Sequence, residues 1–152
     1  MRDLSRRTFV AAAVAGAISC DTAWAQNTSP IAGKRVALKG YDPVSYFTEG
    51  KPEQGSGQYT FVFDDSIYWF KSAEHRAQFA ADPERYAPQF DGYCAIQISR
   101  GQKVEPDPEA WTITDGKLYV FSAKIGVPMF QGQSASIVEK ASANWQTLRA
   151  SH

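Results

Sequence analysis

The chain has 152 residues, a formal net charge of zero, 43% hydrophobic residues and 21% charged residues. These values fit one ordinary globular domain. No basic run and no acidic tail is present, which speaks against a nucleic-acid binder and against a disordered interaction arm.

The first 25 residues, "MRDLSRRTFVAAAVAGAISCDTAWA", read as an export signal. They open with charge, continue through a short apolar run from Phe9 to Ile18, and close on Ala23-Trp24-Ala25, an A-x-A cleavage site. The run is too short to span a bilayer. Ser5, Arg6, Arg7 and Phe9 follow the twin-arginine pattern, with Val10 in place of the usual Leu. An alternative is lipid attachment at Cys20, although Ala17 stands where such signals usually carry Leu. Cleavage after Ala25 leaves a near-neutral mature chain in the periplasm, with Cys94 as its single thiol. A lone cysteine in an oxidising compartment cannot form an internal disulfide, so it is either buried or functional.

Residues 26–35 read as a linker and residues 36–150 as one domain without internal repeats. Three Asp-Pro pairs offer an N-cap followed by Pro at the first helical position. Asp42 opens a short helix over "PVSYFTE". "QYTFVFD" and "IYWFK" form a hairpin around Asp65-Ser66. "SAEHRAQFAA" is a helix capped by Ser72, with Glu74 in its first turn. Asp82 opens one helical turn, "PERYA". "YCAIQIS" alternates like a strand, with Cys94, Ile96 and Ile98 on one face. Asp107 opens a single turn before "AWTIT", which pairs with "KLYVFS" through the type I′ signal Asp115-Gly116. "SASIVEKASANWQTL" ends the chain as a helix with a capping box at Ser136 and Glu139. Its apolar stripe is Ile137, Val138, Ala141, Trp145 and Leu148. The expected class is α+β: a small antiparallel sheet of hairpins with helices packed on it.

"GYDPVSYF", "YWFKSAEHRAQFAADPERYAPQFDGYCA" and "DPEAWTITDGKLYVF" resemble the exported YHS-domain proteins, over roughly residues 36 to 149. The resemblance implies a metal-binding module. The family's ligand cysteines fall on Ser45, Lys71 and His75 here, and of these only His75 is a good ligand for a soft metal. The exported branch carries its cysteine in "GYCA", and some relatives there are selenoproteins, which implies a reactive role for Cys94.

Cys94 therefore has two readings: a thiolate for copper or zinc, or for redox exchange, and a small apolar side chain in the core. His75 is the next metal candidate, with a histidine satisfied inside the fold as its alternative. Met129, Asp42 and Asp91 are further donors without diagnostic spacing. Tyr41, Asp42, Tyr46, Tyr93 and Trp69 would line a small-ligand pocket, or else fill the core. No catalytic residue is assigned: G-x-S-x-G, H-E-x-x-H, a Gly-rich phosphate loop and C-x-x-C are all absent. The leading expectation is a non-enzymatic periplasmic metal-binding module using Cys94 and His75. The alternatives are a single-thiol redox protein and a small-ligand or partner-binding module with Cys94 merely packed.

Overall fold

A computed structural model describes residues 32–151. The expected signal segment, Cys20, the cleavage point after Ala25 and most of the linker lie outside the described residues. The fold is α+β. Its sheet is not a single antiparallel one: among the described residues the strands form one three-stranded and one two-stranded sheet. In the first, β1 (Arg35–Val36) runs parallel to β3 (Ser66–Phe70), which pairs antiparallel with β2 (Ser56–Phe63). In the second, β4 (Asp107–Thr114) pairs antiparallel with β5 (Lys117–Phe121).

The helices are α1 (Ser45–Thr48), α2 (Ala73–Ala81), α3 (Pro83–Tyr86), α4 (Ala95–Ser99) and α5 (Gly126–Leu148). Ser72 caps α2 as its sequence predicts, accepting from the His75 amide. The second hairpin turns on Asp115 and Gly116, both at positive φ, as a type I′ turn requires. The first turns one residue earlier than expected, on Asp64-Asp65, which leaves Ser66 buried inside β3.

Three expectations need correction. "AIQIS" is helix, not strand. Its buried positions 94, 95, 96 and 98 include the alternating set 94, 96 and 98 but also fit a helical turn, and periodicity cannot separate the two over five residues. Asp107 opens a strand, not a helical turn. The Asp107 carboxylate folds back onto the Glu109 amide at 3.0 Å. The ladder skips between Asp107 and Trp111, where Pro108 is not required to donate. Finally, α5 begins at Gly126, well before the expected capping box. Gly126, Pro128 and Gly132 look like breakers, but Pro is tolerated in a first turn and buried Phe130 ties this turn to the core. The helix departs from helical geometry at Gln133 (φ −142°).

The chain is built from one unit used twice, contrary to the expectation of no repeat. Each unit starts with a tight turn, Ala37–Gly40 or Gln89–Gly92. Each turn holds two non-glycine residues at positive φ, Leu38 and Lys39 or Phe90 and Asp91, followed by a positive-φ glycine and a tyrosine. The tyrosine amide closes the turn at 3.0 Å in both, Tyr41 onto Leu38 and Tyr93 onto Phe90. A short helix follows, α1 or α4, and then a hairpin. The hairpin registers coincide pair for pair, from Ser56↔Phe70 and Thr60↔Trp69 in one to Asp107↔Phe121 and Trp111↔Val120 in the other, with the same skip.

Packing repeats with the backbone. Phe79 on α2 lies 5.0 Å from the Tyr68 ring and 5.1 Å from Phe70. Phe130 on α5 lies 4.7 Å from Tyr119 and 5.2 Å from Phe121. Two cores result, and β5 separates them. Leu118 and Val120 face the core around Phe79, while Tyr119 and Phe121 face the core around Phe130. A strand buried on both faces reads as a continuous apolar run, as "LYVF" does.

Candidate functional site

Cys94 sits at the start of α4 and is 1% exposed. It belongs to the hydrophobic core of Phe90, Ile98, Tyr119, Phe121 and Phe130. Its amide donates to the Val104 carbonyl at 3.0 Å and its carbonyl accepts from Ile98 at 2.9 Å. A thiol so enclosed behaves as a small hydrophobe. Native protein is therefore expected to resist thiol-specific alkylation, with labelling appearing only as the fold is denatured. Cys94→Ala should cost about 1 kcal/mol in a urea titration. Rapid labelling of the native state would exclude the enclosed arrangement.

The repeat gives this position a counterpart. Asp42 follows Tyr41 as Cys94 follows Tyr93, and its amide donates to the Glu53 carbonyl at 2.8 Å as that of Cys94 does to Val104. Asp42 is fully buried. One carboxylate oxygen accepts from the amides of Val44 (2.8 Å) and Ser45 (3.3 Å), capping α1. The other accepts from the Lys71 amide (2.9 Å) and meets His75 Nδ1 at 2.7 Å. Asp42 thus ties the turn, α1, the end of β3 and α2 to one point. Lys71 Nζ extends the centre outward, donating to Glu49 at 2.9 Å and Glu53 at 2.6 Å. The Glu53 and Glu49 hydrogen bonds hold the Lys71 ammonium above its ordinary range.

Ser45, Lys71 and His75, the positions the resemblance marks for metal, do converge here. They converge on Asp42 rather than on a vacant coordination point. His75 spends Nδ1 on Asp42, and its Nε2 lies 3.8 Å from Glu49 Oε1, an oxygen already engaged by Lys71. Ser45 Oγ is buried and makes no hydrogen bond, so no Ser-His-Asp relay forms. Cys94 packs in the core around Phe130, whereas His75 lies on α2 against Asp42. Among the described residues no group of three His, Cys, Asp or Glu side chains is placed to hold a metal ion. Soft-metal centres ordinarily gather two to four converging donors. Cys94 and His75 do not fit a shared copper or zinc centre.

The proposed ligand-lining residues also divide. Tyr41 packs against the first core. Trp69 lies over Gly40 and Gly57, where the missing Cβ atoms make room for the indole; a Cβ on Gly40 would come within 2.9 Å of it. The Tyr46 hydroxyl donates to the Pro108 carbonyl at 2.8 Å, and burial pushes its pKa up. Met129 is exposed on α5. Of this set, Tyr93 borders a hollow between the two units.

That hollow is where the two units meet, and sequence reasoning missed it. Arg35 on β1 reaches across to the second turn. Its guanidinium donates to the Asp91 carbonyl at 2.7 Å, pairs with Glu105 through two nitrogens at 2.5 and 3.0 Å, and stacks 3.9 Å from the centre of the Tyr93 ring. Burial is the largest single influence and opposes its charge, but the hydrogen bond and charge of Glu105, together with Tyr93 and Asp91, hold the guanidinium above its ordinary range. The Asp91 carboxylate lies 3.7 Å from Arg35 and accepts from Ser66 Oγ at 2.7 Å. Asp91 reaches this place because it and Phe90 adopt left-handed backbone, a strain of about 1–2 kcal/mol per residue.

A cavity of about 350 Å³ opens beside this pair. Its wall carries four cations, Lys34, Arg35, Lys103 and Arg149, against the carboxylates Asp65 and Asp91, with Tyr93 and Trp145 as aromatic surfaces. Lys103 donates to the carbonyls of Leu148 and Ser151, which anchor it without neutralising it. Arg149 is exposed and forms no ion pair among the described residues. The sequence signal that might have drawn attention here is the recurrence of "x-x-Gly-Tyr" in "LKGY" and "FDGY".

Burial holds the Asp91 carboxyl above the ordinary aspartate range, against the downward pull of Ser66 and Arg35. A raised carboxyl pKa favours the fold below the unfolded value, and that contribution is lost as pH rises through the folded one. Carboxyl-carbon NMR should therefore place the Asp91 midpoint above about 3.9. A midpoint at or below that value would show that the Arg35 pair, not burial, governs the group.

Comparison with known families, curated proteins and solved structures found no match for this chain. Among the described residues no helix is long and apolar enough to cross a membrane.

Proposed function

We propose that this chain is a non-enzymatic, periplasmic small-ligand-binding module in which Cys94 is structural and the ligand is a small anion. The observation that carries this reading is the cavity between the two units, where Lys34 and Arg35 are paired with Asp65, Asp91 and Glu105 while Lys103 and Arg149 form no ion pair among the described residues. Arg35 is held in place by Asp91, Glu105 and the Tyr93 ring, so its position is fixed before a ligand arrives. Preorganised donors bind without the cost of ordering them first. Export rests on the reading of residues 1–25 as a signal, and a structural Cys94 suits an oxidising compartment because an enclosed thiol escapes oxidation.

Titration of the mature chain with inorganic phosphate, followed by amide NMR, tests the reading. Saturable shifts are expected at Lys34, Tyr93, Lys103 and Arg149. Arg149→Gln should weaken binding by about tenfold, the loss of one charge-assisted contact near 1.4 kcal/mol. Cys94→Ala should leave the affinity unchanged. Absence of saturable shifts in the parent would end the proposal.

A further inference from the structure

A second hollow of about 620 Å³ adjoins the first and shares Asp91, Trp145 and Arg149 with it. Its character differs. Its lining is mostly polar, with Phe63, Pro88 and Trp145 as apolar edges, and its charges lean negative, with Asp64, Glu84 and Asp91 against Lys117 and Arg149. An anionic group is therefore favoured in the first hollow and disfavoured in the second. Trp145 stands at the junction. Its ring lies 6.2 Å from Phe90 and 6.0 Å from Tyr93, and it borders both spaces.

We infer that the ligand is an aromatic oxyanion, its charged group among Lys34, Arg35, Lys103 and Arg149 and its ring against Trp145 in the second hollow. This rests on the anion-binding reading above and adds the chemical class of the rest of the ligand. Two further features support it. The first cavity is at the small end of ligand sites, while the two together reach the size that buries a ring and its substituents. Aromatic side chains offer a planar partner a stacking or edge contact beyond simple area burial. Carboxylate and phosphate share the relevant chemistry, so either head group satisfies the cations.

The test uses matched probes on the mature chain: acetate against benzoate, and methyl phosphate against phenyl phosphate, each titrated by calorimetry and amide NMR. In at least one pair the aryl member is expected to bind about tenfold more tightly, consistent with a buried ring. Trp145→Leu should abolish that excess, so that the aryl and methyl members of each pair bind alike. Because Trp145 also packs against Phe90, a second variant is needed. Ser142→Phe occupies the second hollow from the exposed side of α5 and should remove the same excess. Equal affinity within both pairs overturns the aromatic assignment and leaves the anion site standing. Failure of all four probes to bind overturns both.

Discussion

Phe79→Ala is expected to destabilise the protein by about 3–5 kcal/mol, the range for emptying a packed aromatic site. Phe79 is fully buried, and four rings close on it: Phe61, Phe63, Tyr68 and Phe70, with centroids 5.0 to 6.0 Å away. All four come from β2 and β3 positions fixed by hairpin pairing, so they cannot slide into the space without breaking register. Phe130→Ala should fall in the same range, since Tyr119 and Phe121 enclose it in the same geometry. Urea titration followed by far-UV circular dichroism measures both. A loss below about 1.5 kcal/mol at either site would mean that the surrounding rings collapse inward.

Asp42→Ala should cost about 3–5 kcal/mol, by a different mechanism. The carboxylate accepts from three backbone amides and meets His75 Nδ1, and it has no exposed surface. Removing it strands four donors in a place that water cannot reach, each costing about 1–3 kcal/mol if nothing replaces the acceptor. Asp42→Asn keeps the shape but turns an NH2 group toward donors, so it should recover little. Cys94→Ala, at the matching position of the second unit, should cost far less than Asp42→Ala because nothing hydrogen-bonds to its side chain. Asp42→Ala milder than Cys94→Ala in parallel urea titrations would remove the claim that Asp42 ties the first unit together.

Much of the fold was legible because local chemistry and tertiary packing agree there. Asp115-Gly116 fixes its turn by backbone preference alone, and Ser72 caps α2 because its hydroxyl reaches the His75 amide. Legibility failed where one pattern admits two structures. Cys94, Ile96 and Ile98 alternate, yet α4 forms because both α5 and β5 cover it. The repeat was hidden because its two copies share geometry more than residues. Gly40 and Gly92, Tyr41 and Tyr93, and Phe79 and Phe130 coincide, but Asp42 is answered by Cys94 and His75 by Gly126. The cavity was harder still. Arg35 and Asp91 are 56 positions apart, and a left-handed aspartate cannot be foreseen from composition. The metal expectation followed a resemblance whose marked positions meet around Asp42, which Lys71 reaches through its backbone amide while its ammonium pairs with Glu53.

The position of β5 has a consequence for how the protein comes apart. One face of this strand completes the core of the first unit and the other face completes that of the second. Neither half owns all the side chains that shield it from water. Severing the chain between the copies would leave each fragment with an open apolar flank, so the halves should melt in a single cooperative transition rather than in sequence.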